Sequence, residues 1–264
     1  MKPPPFAYHR PVTRDEVDEL LAELGAEAKV LAGGQSLIPI LNMRLAAPAH
    51  LVDLNFLRDE PDEPVVDGGA LAFGPLVRLR AAERSPLVAD RLPLLAEVLH
   101  HVAHPAIRSR GTVVGSIAHA DPAAELPAVM ALLEGEARVR RRGARRTVPA
   151  GELFAGHLET TLEPGEWIEE VRLPEQGGRG AAFEEFARRQ GDYALCGVAA
   201  LATDGRLALS FVGMGPVPLR LQGGVEDAVG RLVPEDDLHA TARYRRFLAE
   251  RLGARAARRA LGAA

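Results

Sequence analysis

Ala28-Lys29-Val30-Leu31-Ala32-Gly33-Gly34-Gln35-Ser36-Leu37-Ile38-Pro39 joins a short apolar run to a glycine turn, then to an apolar segment of helical character, Leu37 to Leu45. Ala28–Leu31 reads as a buried strand. Two adjacent glycines at a strand exit remove two Cβ atoms where the backbone must turn. Ser36 is placed to cap a helical turn opening at Leu37, with Pro39 inside the tolerated first turn. Such a turn presents several backbone N–H groups to one point, which suits an anion, and phosphate is the usual biological one. The same residues would also serve as a plain chain reversal. The spacing is neither G-x-G-x-x-G nor G-x-x-x-x-G-K-[ST], so the flanking chain has to discriminate.

Upstream, Pro3 to Pro11 reads as extended. Thr13 and Glu16 form a capping box, Val17, Leu20, Leu21 and Leu24 follow at helical spacing, and Gly25 stops the helix. Downstream, Leu51–Leu54 is a second strand, so the first 55 residues predict a small α/β unit whose loop carries the glycines. Val65 to Phe73 reads as a hairpin, Leu87 to His101 as a helix ended by Pro105, and Gly111 to Ser116 as a second glycine-bearing loop. Leu126–Leu133 is a short helix, and Ala137–Arg140 with Arg146–Val148 a second hairpin. Trp167–Leu173 is a strand ended by Pro174, and Gln176 to Gly180 a flexible link. Three strands then follow, Ala182–Ala187, Ala194–Ala202 and Leu207–Val212, with Asp204-Gly205 as a tight turn between the last two. The end is helical: Val225–Leu232, then an amphipathic helix with Tyr244, Leu248, Leu252 and Ala256 on one side. The expected fold class is α+β, divided at 1–55, 56–174 and 175–264, with an antiparallel sheet and covering helices in the last segment.

The chain has 264 residues, 47% hydrophobic and 26% charged, with a net charge of −4. That describes a globular protein without a global bias toward nucleic acid or anionic membrane. The start lacks the apolar core of a signal peptide and no run is long enough to span a bilayer, so a cytoplasmic chain is expected. One cysteine, Cys196, leaves no internal disulfide and no cysteine-ligated cluster.

Catalytic groups are not evident. No G-x-S-x-G elbow exists, and Cys196 lies in an apolar strand and reads as core. His100 and His104 could share a helix face, and His119 with Asp121 is another conceivable ligand pair, but no third and fourth ligand is supplied. Neither a catalytic residue nor a metal site is expected. Arg138, Arg140, Arg141, Arg142, Arg145 and Arg146 read as a solvated, charge-protected sheet edge. Arg243 to Arg259 read as the solvated face of the last helix.

Taken together, Ala32-Gly33-Gly34-Gln35-Ser36-Leu37-Ile38-Pro39, the sequel Arg44-Leu45 to Asp53-Leu54-Asn55, and Gly111-Thr112-Val113-Val114-Gly115-Ser116-Ile117-Ala118-His119-Ala120-Asp121-Pro122-Ala123-Ala124-Glu125-Leu126-Pro127 resemble the FAD-binding medium subunit of the molybdenum hydroxylases, the carbon monoxide dehydrogenase and xanthine dehydrogenase relatives. Phe186 to Ala194 and Asp237 to Arg246 resemble the C-terminal module of the same family. The resemblance implies a two-part FAD-binding domain followed by that module. It implies FAD held non-covalently, with Ala32, Gly33, Gly34, Gln35, Ser36 and Leu37 and the loop of Thr112, Val114, Gly115 and Ser116 on the diphosphate. Ala118 and Glu125 would lie nearer the ribityl and ribose groups, and Asp192 and Tyr193 nearer the flavin ring. It also implies a large molybdopterin-binding subunit and a small subunit with two [2Fe–2S] clusters, assembled as a dimer of heterotrimers, in the cytoplasm or peripheral at the inner membrane face. Two other readings stay open: a flavin-free assembly subunit of the same complex, and a stand-alone flavin oxidoreductase. The family pattern usually has two adjacent glycines where this chain has Val114-Gly115, and ordinary backbone is expected at Val114. Ser116 stands where the family commonly has asparagine.

Overall fold

The computed structural model describes residues 2–262; residue 1 and residues 263–264, the outer ends of the first and last segments, lie outside them. The first strands are β1 (Ala7–His9), β2 (Ala28–Leu31) and β3 (His50–Asp53), with α1 (Arg14–Leu24) and α2 (Leu37–Asn42) between them. β3 runs between the other two and is parallel to both. Thr13 caps α1 by accepting from the Glu16 amide, while Glu16 reaches back one residue further than a capping box requires, to the Val12 amide. Val17, Leu21, Val52, Leu54 and Leu57 pack with Trp167, which comes from the next sheet.

That sheet has the order β4-β5-β10-β6-β7. Its strands are β4 (Val65–Asp67), β5 (Ala70–Phe73), β6 (Glu136–Arg141), β7 (Ala144–Pro149) and β10 (Trp167–Pro174), and every pairing is antiparallel. Between β5 and β6 lie α3 (Leu79–Arg84), α4 (Pro86–Arg91), α5 (Pro93–Leu99), α6 (Pro105–Arg108), α7 (Val113–His119) and α8 (Glu125–Leu132). Every residue of α8 is buried, as a helix apolar on all sides should be. After β7 come α9 (Ala150–Leu153) and a small pair, β8 (Phe154–Gly156) with β9 (Glu159–Thr160).

The last sheet is an antiparallel meander of β11 (Gly180–Ala187), β12 (Ala194–Thr203), β13 (Arg206–Val212) and β14 (Leu221–Gln222). One face packs on α10 (Val225–Gly230) and α11 (Ala242–Ala260). The other face joins the middle core: Phe183, Leu201 and Val212 belong to one apolar cluster with Leu71, Val98 and Met130.

Several expectations are corrected. Ser36 makes no side-chain cap and is itself in helical backbone. The helix foreseen over Leu87 to His101 breaks at Leu92 (φ −134°, ψ 58°), because a residue before proline is steered out of the α region. His100 and His104 also fall on different segments rather than one face, because α5 ends at Leu99 and Ala103 (φ 45°) and the extended His104 before Pro105 turn the chain before α6. The second glycine loop is shorter than expected, since Thr112 nucleates α7 at Val113. Gln176 is no flexible linker residue: it is buried, accepts from the Leu94 amide at 3.0 Å and donates to the Arg179 carbonyl at 2.7 Å. Arg140 leaves the solvated edge and is buried against Asp18, Asp15 and Glu169. Arg245 is likewise buried, donating to the Leu195 carbonyl at 2.6 Å. Tyr244 stays exposed, while Leu248, Leu252 and Ala256 bury the expected stripe.

Candidate functional site

The first loop leaves β2 at Ala32, whose carbonyl accepts from Asn55 Nδ2 at 2.7 Å. Asp53 fixes Asn55 by accepting from its backbone amide at 2.9 Å and from its side-chain amide, and Tyr8 Oη donates to the other Asp53 oxygen. Gln35 Nε2 donates to the Gly33 carbonyl at 3.0 Å and closes the turn. Gly34 has φ +72°, a left-handed value that a side chain would resist. α2 then begins with Ile38 donating to the Gly34 carbonyl. Among the described residues, the amides of Gly34, Gln35, Ser36 and Leu37 find no acceptor. All of these residues are half-buried, and unpaired N–H groups so placed call for a partner.

The second stretch is pinned from below. Gly111 accepts from the Leu79 amide at 2.9 Å and Val113 donates to the Val77 carbonyl at 3.1 Å, so Thr112 lies beside Arg78 as an antiparallel bridge. Thr112 Oγ1 accepts from the Gly115 amide at 2.9 Å and caps α7. A Cβ at Gly115 would stand 2.7 Å from that same oxygen. Val114 is helical and buried in the core, so a β-branched residue there is unstrained. Ser116 is half-buried and Ala118 exposed along α7.

The two stretches touch through backbone. A Cβ on Gly33 would stand 2.5 Å from the Arg110 carbonyl oxygen and 2.7 Å from the Gly111 Cα. Arg78 joins them a second time: one Nη donates to the Arg110 carbonyl at 2.6 Å and the other to Asn55 Oδ1.

At the far end of α7 the chain turns through Ala120, in left-handed backbone, to Asp121 and Glu125. Glu125 is buried, and burial, reinforced by the nearby Glu185 carboxylate, pushes its pKa up to about 8. Glu185 lies 3.7 Å from His101 Nδ1, which raises the histidine, while the other Glu185 oxygen is buried without a partner. Tyr193 lies near Asp121. Asp192 is half-buried in the loop joining β11 and β12, which is seated by Gly191, where a Cβ would meet the His104 ring at 2.5 Å.

Of the residues foreseen as a site, the fold thus brings Ala32 to Leu37 against the start of the Thr112–Ser116 stretch. It gathers Glu125, Asp192 and Tyr193 at the other end of the same helix. Sequence reasoning missed Arg78, the Arg110 carbonyl, His101 and Glu185. Asn55 carried a signal, since Asp-x-Asn after a strand favours a side-chain-to-backbone turn.

The family model described as the FAD binding domain in molybdopterin dehydrogenase matches residues 4–176. The 6-hydroxypseudooxynicotine dehydrogenase complex subunit alpha of Paenarthrobacter nicotinovorans is 38% identical, over 98% of this chain and 97% of its own length. The carbon monoxide dehydrogenase medium chain of Hydrogenophaga pseudoflava is 36% identical over 92% of this chain and 86% of its own. Among solved structures, a chain of the reconstituted CO dehydrogenase from Oligotropha carboxidovorans superimposes with a TM-score of 0.94 at 32% identity, covering 100% of both chains. A backbone cradle of glycines and unpaired amides, on a chain similar throughout to these oxidoreductase subunits, places the protein in the FAD-binding medium-subunit family of the molybdenum hydroxylases.

Proposed function

We propose that this chain is the electron-transfer subunit of a heterotrimeric molybdenum hydroxylase in the cytoplasm, beside a large molybdopterin-binding subunit and a small [2Fe–2S] subunit, in a dimer of heterotrimers. FAD would supply the conversion between single electrons arriving from the partner's clusters and the one or two electrons taken by an external acceptor. Among the described residues, no helix is long and apolar enough to cross a membrane.

The observation that carries this reading is the backbone contact of Gly33 with Arg110 and Gly111, which sets the two glycine-bearing stretches side by side. The residues fit a dinucleotide: the amides of Gly34, Gln35, Ser36 and Leu37 have no internal acceptor and would bind diphosphate oxygens. Ala32 and Gly33 hold that turn, and the backbone at Thr112, Val114, Gly115 and Ser116 would form the facing wall. Ala118 and Glu125 would flank the ribityl and ribose groups, and Asp192 and Tyr193 the flavin ring. In this reading residues 1–55 and 56–174 form the two-part FAD-binding domain, and 175–264 the module that closes its far side.

The chain's own residues bind, orient and exclude water; none abstracts a proton from substrate, which is left to the molybdenum subunit. On heat denaturation the purified complex should release FAD, identified by its fluorescence in the supernatant, as a non-covalently bound flavin requires, and it should contain both partner subunits. A complex that releases no flavin on denaturation after incubation with FAD would exclude the reading. The flavin-free alternative drew its support from Val114, and the helical backbone there removes that ground.

A further inference from the structure

We propose that Arg78 is a further binding residue of the FAD site, supplying the positive charge for the diphosphate while holding the two backbone stretches at fixed spacing. The inference rests on the FAD reading above and adds a residue that neither glycine motif contains.

Two hydrogen bonds use only part of the Arg78 guanidinium. Nη1 donates to the Arg110 carbonyl, and Nη2 donates to the Asn55 side chain that grips the Ala32 carbonyl. The group therefore spans the junction where Gly33 meets Gly111. A guanidinium offers five N–H donors in a planar fork, so donors remain after both bonds are made.

Its charge also lacks a dedicated partner. Among the described residues Arg78 forms no ion pair, and the Asp53 carboxylate within its field is already engaged by Tyr8 and Asn55. Burial, with the neighbouring Arg110 guanidinium, holds Arg78 below its ordinary value. Half-buried positive charge that repels its neighbour and lacks a carboxylate is stabilised by an incoming anion. The adjacent unpaired amides of the first loop favour an anion in the same place. Backbone amides attract phosphate as neutral dipoles, a short-range term that salt screens little. A guanidinium adds a term that salt screens.

The test uses the full chain, stripped of flavin and titrated with FAD at low and high ionic strength, with apo-protein melting followed in parallel. The natural chain should lose affinity as salt rises. Arg78→Gln should bind FAD about tenfold more weakly, with a flatter salt dependence, because a charge-assisted contact is gone. Arg78→Lys should keep the salt dependence, because the charge remains although the two-point bridge does not. Binding by Arg78→Gln within about twofold of the natural chain would overturn the inference, since a charge-assisted bond is worth more than that. So would a natural chain whose affinity ignores salt, or an Arg78→Gln variant that loses flavin and melting temperature together with the salt dependence intact. If Arg78→Gln does not fold, the natural chain and Arg78→Lys decide, and loss of the salt dependence in folded Arg78→Lys overturns the proposal. A natural chain that binds no FAD at any ionic strength removes the functional reading as well; FAD binding indifferent to position 78 removes this inference alone.

Discussion

Gly33 and Gly111 meet so closely that a Cβ on the first would stand 2.7 Å from the Cα of the second. The obstruction is backbone, including the Arg110 carbonyl, so no side-chain rotation relieves it. Gly33→Ala must push the two stretches apart. Flavin retained after gel filtration should fall by more than about tenfold, because a displacement of this size misplaces several hydrogen bonds to one ligand. Retention equal to the natural chain would show that the contact does not set the site.

Thr112→Val should act through the second stretch alone. It removes the oxygen that accepts from the Gly115 amide and keeps the shape. A lost N-cap costs about 1 kcal/mol. A small drop in the urea midpoint should accompany weakened FAD binding, and Thr112→Ser should restore both.

Glu125 links stability to pH. Its pKa is pushed up to about 8 from an ordinary 4.5, so the folded chain holds a proton that the unfolded chain has released in between. Stability from this group is present at low pH and lost as pH rises through about 8. In the flavin-free chain, Glu125→Gln should be neutral near pH ~5 and stabilising near pH ~9, where the natural carboxylate must ionise in a buried site. The groups facing it are Glu185, His101, Asp121 and Tyr193. Parallel melting curves for the two proteins across that range would contradict the assignment.

Asp18 tests the joint between the first sheet and the second. It accepts from Arg140 Nε at 2.7 Å, the Gly143 amide at 2.7 Å and Trp167 Nε1 at 2.9 Å. Asp18→Ala leaves a buried guanidinium short of its counterion, a change that typically costs about 3–5 kcal/mol. The Asp15 ion pair and the Glu169 contact at 3.7 Å, both retained, place the expectation at the lower end. Chemical denaturation would measure it, and FAD affinity of the folded fraction should change little.

The local grammar of the chain carried much of the fold. Thr13 with Gly25, the Asp204-Gly205 turn and the apolar runs of β11 to β13 are short-range signals, and the elements stand near where those signals put them. The Leu92-Pro93 break was equally local and was overlooked. Contacts between distant segments were not legible. Arg140 is buried because Asp18 lies opposite it, 122 positions away, and no pattern within a strand announces such a partner. The site behaved the same way. Glycines marked where backbone comes close, while Arg78, which bridges Asn55 and Arg110, lies outside both glycine stretches.

The apolar cluster shared by Phe183, Leu201 and Val212 with Leu71, Val98 and Met130 bears on how, in the function proposed above, an electron acceptor would reach the site. Swinging the last sheet away as a lid would tear a continuous oily interior open to water, at a cost set by all the area exposed. The wall that holds Tyr193 is thus masonry rather than a door. In that reading traffic to and from the far end of α7 passes along its rim, and a chain truncated after Pro174 would turn the middle core's share of this cluster out to water.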